Sequence, residues 1–162
     1  MQLKNMGKQD WRYLLFLLLS HHPPEKLHRT IRVGFGGRNV YLCARCTGRY
    51  LSLIGVFVAY FLGLRFPLWL YLPLVSILPM PAAVDWLTQS GKLRESRNSL
   101  RLGTGLLLGI MEALILLLAI NGILGAFLAA IAIIGVYVFS IVVIVLKTDF
   151  LNSYLSDVMR GK

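Results

Sequence analysis

The sequence predicts an all-α membrane protein with four transmembrane helices and both termini in the cytoplasm. Three observations carry that prediction. Hydrophobic residues make up 57% of 162 positions, against roughly half in soluble domains, and mean hydropathy is +0.69. Charges are segregated, with Glu112 alone between Leu102 and Lys147. Basic residues fall almost entirely in alternate connections, as the topology of a multi-pass chain requires.

A crossing needs about 20 mostly apolar residues. Runs at 47–64, 67–87, 102–120 and 123–146 supply four, the last two divided by the turn dipeptide Asn121-Gly122. They form a transmembrane domain, 47–146, between a cytoplasmic or interfacial segment, 1–46, and a tail, 147–162. Residues 13–19, YLLFLLL, are stopped by SHHPP and are too short to cross. They read as an interfacial or re-entrant helix. A signal-peptide core is the alternative, but no small-x-small cleavage site follows. In the tail, Phe150, Leu151, Tyr154, Leu155, Val158 and Met159 recur at helical spacing, which predicts an amphipathic helix on the inner membrane surface.

Orientation follows from lysine and arginine. Nine precede or open the first span, four lie between spans two and three, three lie in the tail, and Arg65 alone occupies the remaining connections. The positive-inside rule places both termini and the central loop in the cytoplasm of a multi-pass cell-membrane protein. The net charge of +10 is therefore a topology signal and calls for no nucleic-acid partner.

The chain's two cysteines, Cys43 and Cys46, stand at the threshold of the first span. On the cytoplasmic side thiols stay reduced, so a structural disulfide is not expected. Zinc takes four ligands, and Cys-x2-Cys supplies two at a spacing that reaches one ion. His21 and His22 are the expected partners, with His28 nearby, although adjacent histidines diverge in regular backbone. Redox-active thiols or small packing residues are the alternatives. The N-terminus of the first helix would favour anions and a lowered thiol pKa.

The central loop carries the other polar cluster. Asp85 and Gln89 share a helix face, Glu95, Ser96 and Asn98 precede span three, and Arg101, Thr104 and Gly105 open it. Ser96 or Asn98 could cap that helix. Glu112 follows Arg101 along one stripe and lies inside the bilayer, where a carboxyl is costly. Its alternative role is packing. The small residues Gly48, Ser52, Gly55, Ala59 and Gly63, and Gly105-x3-Gly109, predict close helix contacts. Pro73, Pro79 and Pro81 break span two, opening a polar cavity or making a simple kink.

The segments SHHPPEKLHRT, YLCARCTGRYLS and VDWLTQSGKLRESRNSLRLGTGLLLG resemble an uncharacterised family of small prokaryotic membrane proteins, a domain of unknown function. The resemblance covers about residues 20–109 and falls on His21, Cys43, Arg45, Cys46, Gly48, Asp85, Gln89, Glu95, Ser96, Asn98, Arg101, Thr104 and Gly105. Many relatives carry a cysteine where this chain has Ser20. The resemblance implies no activity.

Both motif blocks fall on the cytoplasmic face, which leads to one composite site that binds or acts on an anionic lipid head group. Arg94 and Arg101 would clamp the anion with Arg45, Gln89 and Asn98, and Asp85 and Glu95 would supply acid–base chemistry beside Arg101. Zinc on His21, His22, Cys43 and Cys46 would be the cofactor. A small transporter using Glu112, or a scaffold with a structural metal knuckle, are the alternatives. No Walker loop, dinucleotide fingerprint or nucleophilic triad is present, so cofactors other than metal have no support; whether the protein is an enzyme stays open.

Overall fold

A computed structural model describes residues 16, 19–20, 24–35, 38–91 and 94–147. A 3-10 turn, Pro24–Arg29, leads into a hairpin of β1, Thr30–Phe35, and β2, Arg38–Cys43. Five helices follow: α1, Ala44–Phe61; α2, Tyr71–Ile77; α3, Met80–Ser90; α4, Asn98–Ile120; and α5, Leu124–Lys147. A short 3-10 turn, Leu68–Leu70, precedes α2. Among the described residues, three segments are long and apolar enough to cross a membrane: Leu68–Gln89, Asn98–Ile120 and Leu124–Lys147. The protein is mostly helical, as expected. The interfacial helix expected at 13–19 lies largely outside the described residues, and the C-terminal amphipathic helix lies outside them altogether.

The hairpin departs from the all-α expectation. Its strands are antiparallel, with Thr30 opposite Cys43 and Val33 opposite Val40. A signal for it exists in the sequence, where two β-branched and aromatic runs flank Gly36-Gly37. The second strand runs directly into α1, so the hairpin fixes where Cys43 and Arg45 enter the bundle.

Contact between α1 and α4 organises the helices. The two run parallel, and a Cβ built on Gly48, Gly105 or Gly109 would lie 2.2, 2.1 or 2.0 Å from Leu102 O, Arg45 O or Arg49 O. Only glycine allows backbones this close. Ser52 Oγ reaches across to Leu106 O at 2.7 Å. At the opposite end the Tyr60 hydroxyl donates to Asn121 Oδ1 at 2.6 Å. The expected small stripe is thus used only in its first half, because Gly55 and Gly63 have open space where a Cβ would stand.

Both helices stop at that opposite end by the same device. Gly63 and Gly122 adopt φ of 99° and 70°, which is natural only for glycine. Gly63 N and Leu64 N bond back to Tyr60 O and Ala59 O, and Gly122 N and Ile123 N to Ala119 O and Leu118 O. These are paired Schellman closures. The expected turn at Asn121-Gly122 is one of them.

Helices α2, α4 and α5 enclose the apolar core, made by Tyr71, Val75, Met111, Leu114, Leu117, Leu118 and Ala130. Between α2 and α3 the helix is interrupted at Leu78-Pro79, where Pro79 and Pro81 lack N–H donors. Ser76 O, near the interruption, accepts the Tyr137 hydroxyl of α5. Helix α5 presents most of its surface outward, Ala130 being its one buried residue.

Gly105→Ala and Gly109→Ala should each destabilise the protein by about 1–3 kcal/mol, the usual cost of overpacking, because backbone stands where the methyl must go. Gly55→Ala should be neutral or slightly stabilising, since its site is open and alanine favours helix. Thermal unfolding in detergent distinguishes the two outcomes.

Candidate functional site

The α1–α4 contact and α3 bring a set of polar side chains to one end of the bundle. Asp85 of α3 is 1% exposed. Its Oδ2 accepts from Arg45 Nη2, and its Oδ1 accepts from Arg94 Nη2 at 3.1 Å. Arg94 also donates from Nε to Thr88 Oγ1 at 3.2 Å. A buried carboxylate is thereby shared by two guanidiniums from different segments, and removing one partner of such a pair costs about 3–5 kcal/mol.

Arg101, one turn into α4, is 4% exposed. Its Nε donates to Ser96 O at 3.3 Å, while its Nη2 has no partner. Arg29, Arg45, Asp85 and Cys43 all lie within its electrostatic reach. Arg45 Nε, Gln89 Nε2 and Ser96 Oγ are likewise buried without a partner, as is Asn98 Oδ1. Most of these orphans are donors. Each unsatisfied buried polar group costs about 1–3 kcal/mol, so one neighbourhood holds an unusual concentration of unspent hydrogen-bonding capacity.

Asn98 ties the cluster to the hairpin. Its amide donates to His28 O at 2.8 Å and Thr30 O at 3.1 Å. Helix α4 has no side-chain cap, so neither Ser96 nor Asn98 performs the capping expected of it. At the rim, His28 Nε2 meets Glu95 Oε1 at 2.7 Å and Arg29 Nη2 meets the same oxygen at 3.2 Å. The hydrogen bonds from His28 and then Arg29 hold the Glu95 carboxyl below the usual carboxylate range. A depressed acid stabilises the fold above its unfolded pKa, and that contribution disappears as pH falls through the folded value. It is small here, because both side chains are more than half exposed.

Cys43 and Cys46 form no disulfide and contact each other. No three metal-binding side chains come together among the described residues. His21 and His22 lie outside them, and the zinc expectation has no support in this arrangement. His28, the described histidine, is turned toward Glu95 instead.

Glu112 is separate from this cluster. Arg49 Nε donates to its Oε2 at 2.6 Å, linking α1 to α4 beyond Gly109. The sequence contains both residues, but their pairing depends on the parallel approach of two helices.

A helical bundle with three membrane-length apolar helices and a charged cluster at one end defines an integral membrane protein. The chain belongs to the family described as predicted membrane protein (DUF2085), whose family model matches residues 25–115. It is 34% identical over 96 residues to an uncharacterised protein of the archaeon Methanothermobacter thermautotrophicus, across 59% of this chain and 81% of that one. No solved structure matches.

Proposed function

We propose that this membrane protein binds the anionic, phosphate-type head group of a lipid at the buried arginine cluster. The observation that carries this reading is Arg101, 4% exposed with an unpaired Nη2. A buried guanidinium with unspent donors favours an oxyanion, which accepts several charge-assisted hydrogen bonds at once. Arg29, Arg45, Arg94 and Arg101 face Asp85 and Glu95, an excess of two positive charges that an anion would neutralise. Gln89 and Ser96 would add neutral donors.

Both carboxylates are held by cations, which favours positioning roles: Asp85 for Arg45 and Arg94, Glu95 for His28 and Arg29. Binding is accordingly the reading preferred over acid–base catalysis. The Arg49–Glu112 pair supports a packing role for Glu112 over an ion pathway.

Helix α1 forms the fourth crossing in this reading. It lies alongside α4 from Arg45 at one end to Tyr60 at the other, and its 18 residues span about 27 Å at 1.5 Å per residue, close to the thickness of the hydrocarbon core. Four crossings put the arginine cluster and both termini on the cytoplasmic side, in line with the basic residues.

Arg101→Gln should strip a phosphate-bearing lipid that co-purifies with the wild-type protein, weakening its retention at least tenfold as a buried charge-assisted contact is lost. Native mass spectrometry of protein extracted from membranes measures this, and equal lipid retention by both proteins sinks the proposal. Topology has its own check: reporters fused after Arg65 and after Asn121 should lie outside, and those after Gly91 and Lys162 inside. An external reporter at Gly91 would overturn the orientation.

A further inference from the structure

The opposite end of the bundle holds a second polar pocket, remote from the arginine cluster. A cavity of about 280 Å3 opens there, lined by Tyr60, Arg65, Tyr71 and Asn121 among apolar neighbours. The Arg65 guanidinium sits over the Tyr60 ring, 3.7 Å from its centroid, a cation–π contact that fixes its position and leaves its N–H groups free. No hydrogen bond or ion pair engages Arg65 among the described residues, and no Asp or Glu lines the cavity.

Its polar groups divide into supports and donors. The Tyr60 hydroxyl is spent on Asn121 Oδ1, and Asn121 Nδ2 on Leu117 O. Tyr71 is 6% exposed, and its hydroxyl has no hydrogen-bond partner among the described residues. The free capacity is therefore one guanidinium, one buried phenol and the second N–H of Asn121, a donor set with a single uncompensated positive charge. An anionic oxygen cluster fits it.

The surroundings select the source of that anion. Phe61, Leu62, Leu64, Leu68 and Trp69 are 75%, 83%, 55%, 51% and 73% exposed around Arg65. An apolar and aromatic collar of this kind sits at the boundary between hydrocarbon and head groups, where the abundant anion is a lipid phosphate. We propose that the Arg65–Tyr71 pocket binds the phosphate of a membrane lipid in the leaflet opposite the arginine cluster. This site does not depend on the function proposed for that cluster.

The test uses the full chain in detergent, titrated with phosphatidylglycerol or with diacylglycerol of matched acyl chains, and read by native mass spectrometry. The wild-type protein should bind phosphatidylglycerol and not diacylglycerol at this site. Arg65→Gln should weaken that binding roughly tenfold and Tyr71→Phe about fivefold, in keeping with charged and neutral hydrogen bonds. The same losses should appear when the variants are made in an Arg101→Gln background, where the arginine cluster no longer contributes lipid, which separates failure here from failure at the other end. If Arg65→Gln does not fold, Tyr71→Phe, which removes one oxygen, carries the test. Equal binding by Arg65→Gln or Tyr71→Phe and the wild type, or equal binding of the two lipids, overturns the proposal. Displacement by millimolar inorganic phosphate also overturns the lipid assignment, by pointing to a free anion.

Discussion

The approach of α1 to α4 at backbone distance is the constraint on which the remainder depends. In lipid, apolar side chains gain little by leaving one apolar surrounding for another, so helix association rests on packing and polar contacts. Gly48, Gly105 and Gly109 supply the packing. Ser52 and the Arg49–Glu112 pair supply the polar contacts along the same seam. Because the seam is parallel and in fixed register, Arg45 necessarily arrives beside Gly105, one turn from Arg101.

That register explains an otherwise costly gathering of charge. Arg45 and Arg101 repel each other at close quarters, and desolvation adds to the penalty. Asp85 offsets part of it by bonding Arg45 and drawing in Arg94 from the loop. It stands in α3, beyond the helix interruption at Leu78-Pro79, with Tyr137 meeting a carbonyl near that interruption. The carboxylate count still falls short of the guanidiniums, and the unmatched capacity is concentrated on Arg101.

Much of this was legible from residue order because membranes impose simple rules. Apolar length gave the helices, Asn121-Gly122 gave a turn, and the small residues marked the α1–α4 seam. The hairpin was less visible, since its alternating pattern is short and stands among charged and cysteine residues. Pairings at long separation were not legible at all. Periodicity could place Asp85, Arg94 and Arg101 near one end, but could not say that Asp85 would be shared between Arg45 and Arg94 while Arg101 stayed incomplete. Nor could it distinguish Gly48, pressed on Leu102 O, from Gly55, which faces open space. Those differences arise from one helix register, which residue spacing alone does not encode.

The two ends of the bundle embody opposite solutions to holding arginine near a membrane. At the α4 N-terminus the buried Arg101 stands among partly buried guanidiniums held by Asp85 and Glu95, so their geometry is set before any ligand arrives. At the Schellman-closed end a single guanidinium rests on an aromatic ring amid exposed apolar side chains. Preorganisation of the first kind lowers the ordering cost of binding and favours selectivity for the shape and charge of an anion. On the proposed reading, the second would rely on the membrane to present its ligand at the right depth. Arg65 is the lone basic residue between Arg49 and Lys92, one cation where a head group could meet it, while the denser cluster would call for a partner that matches its fixed donors.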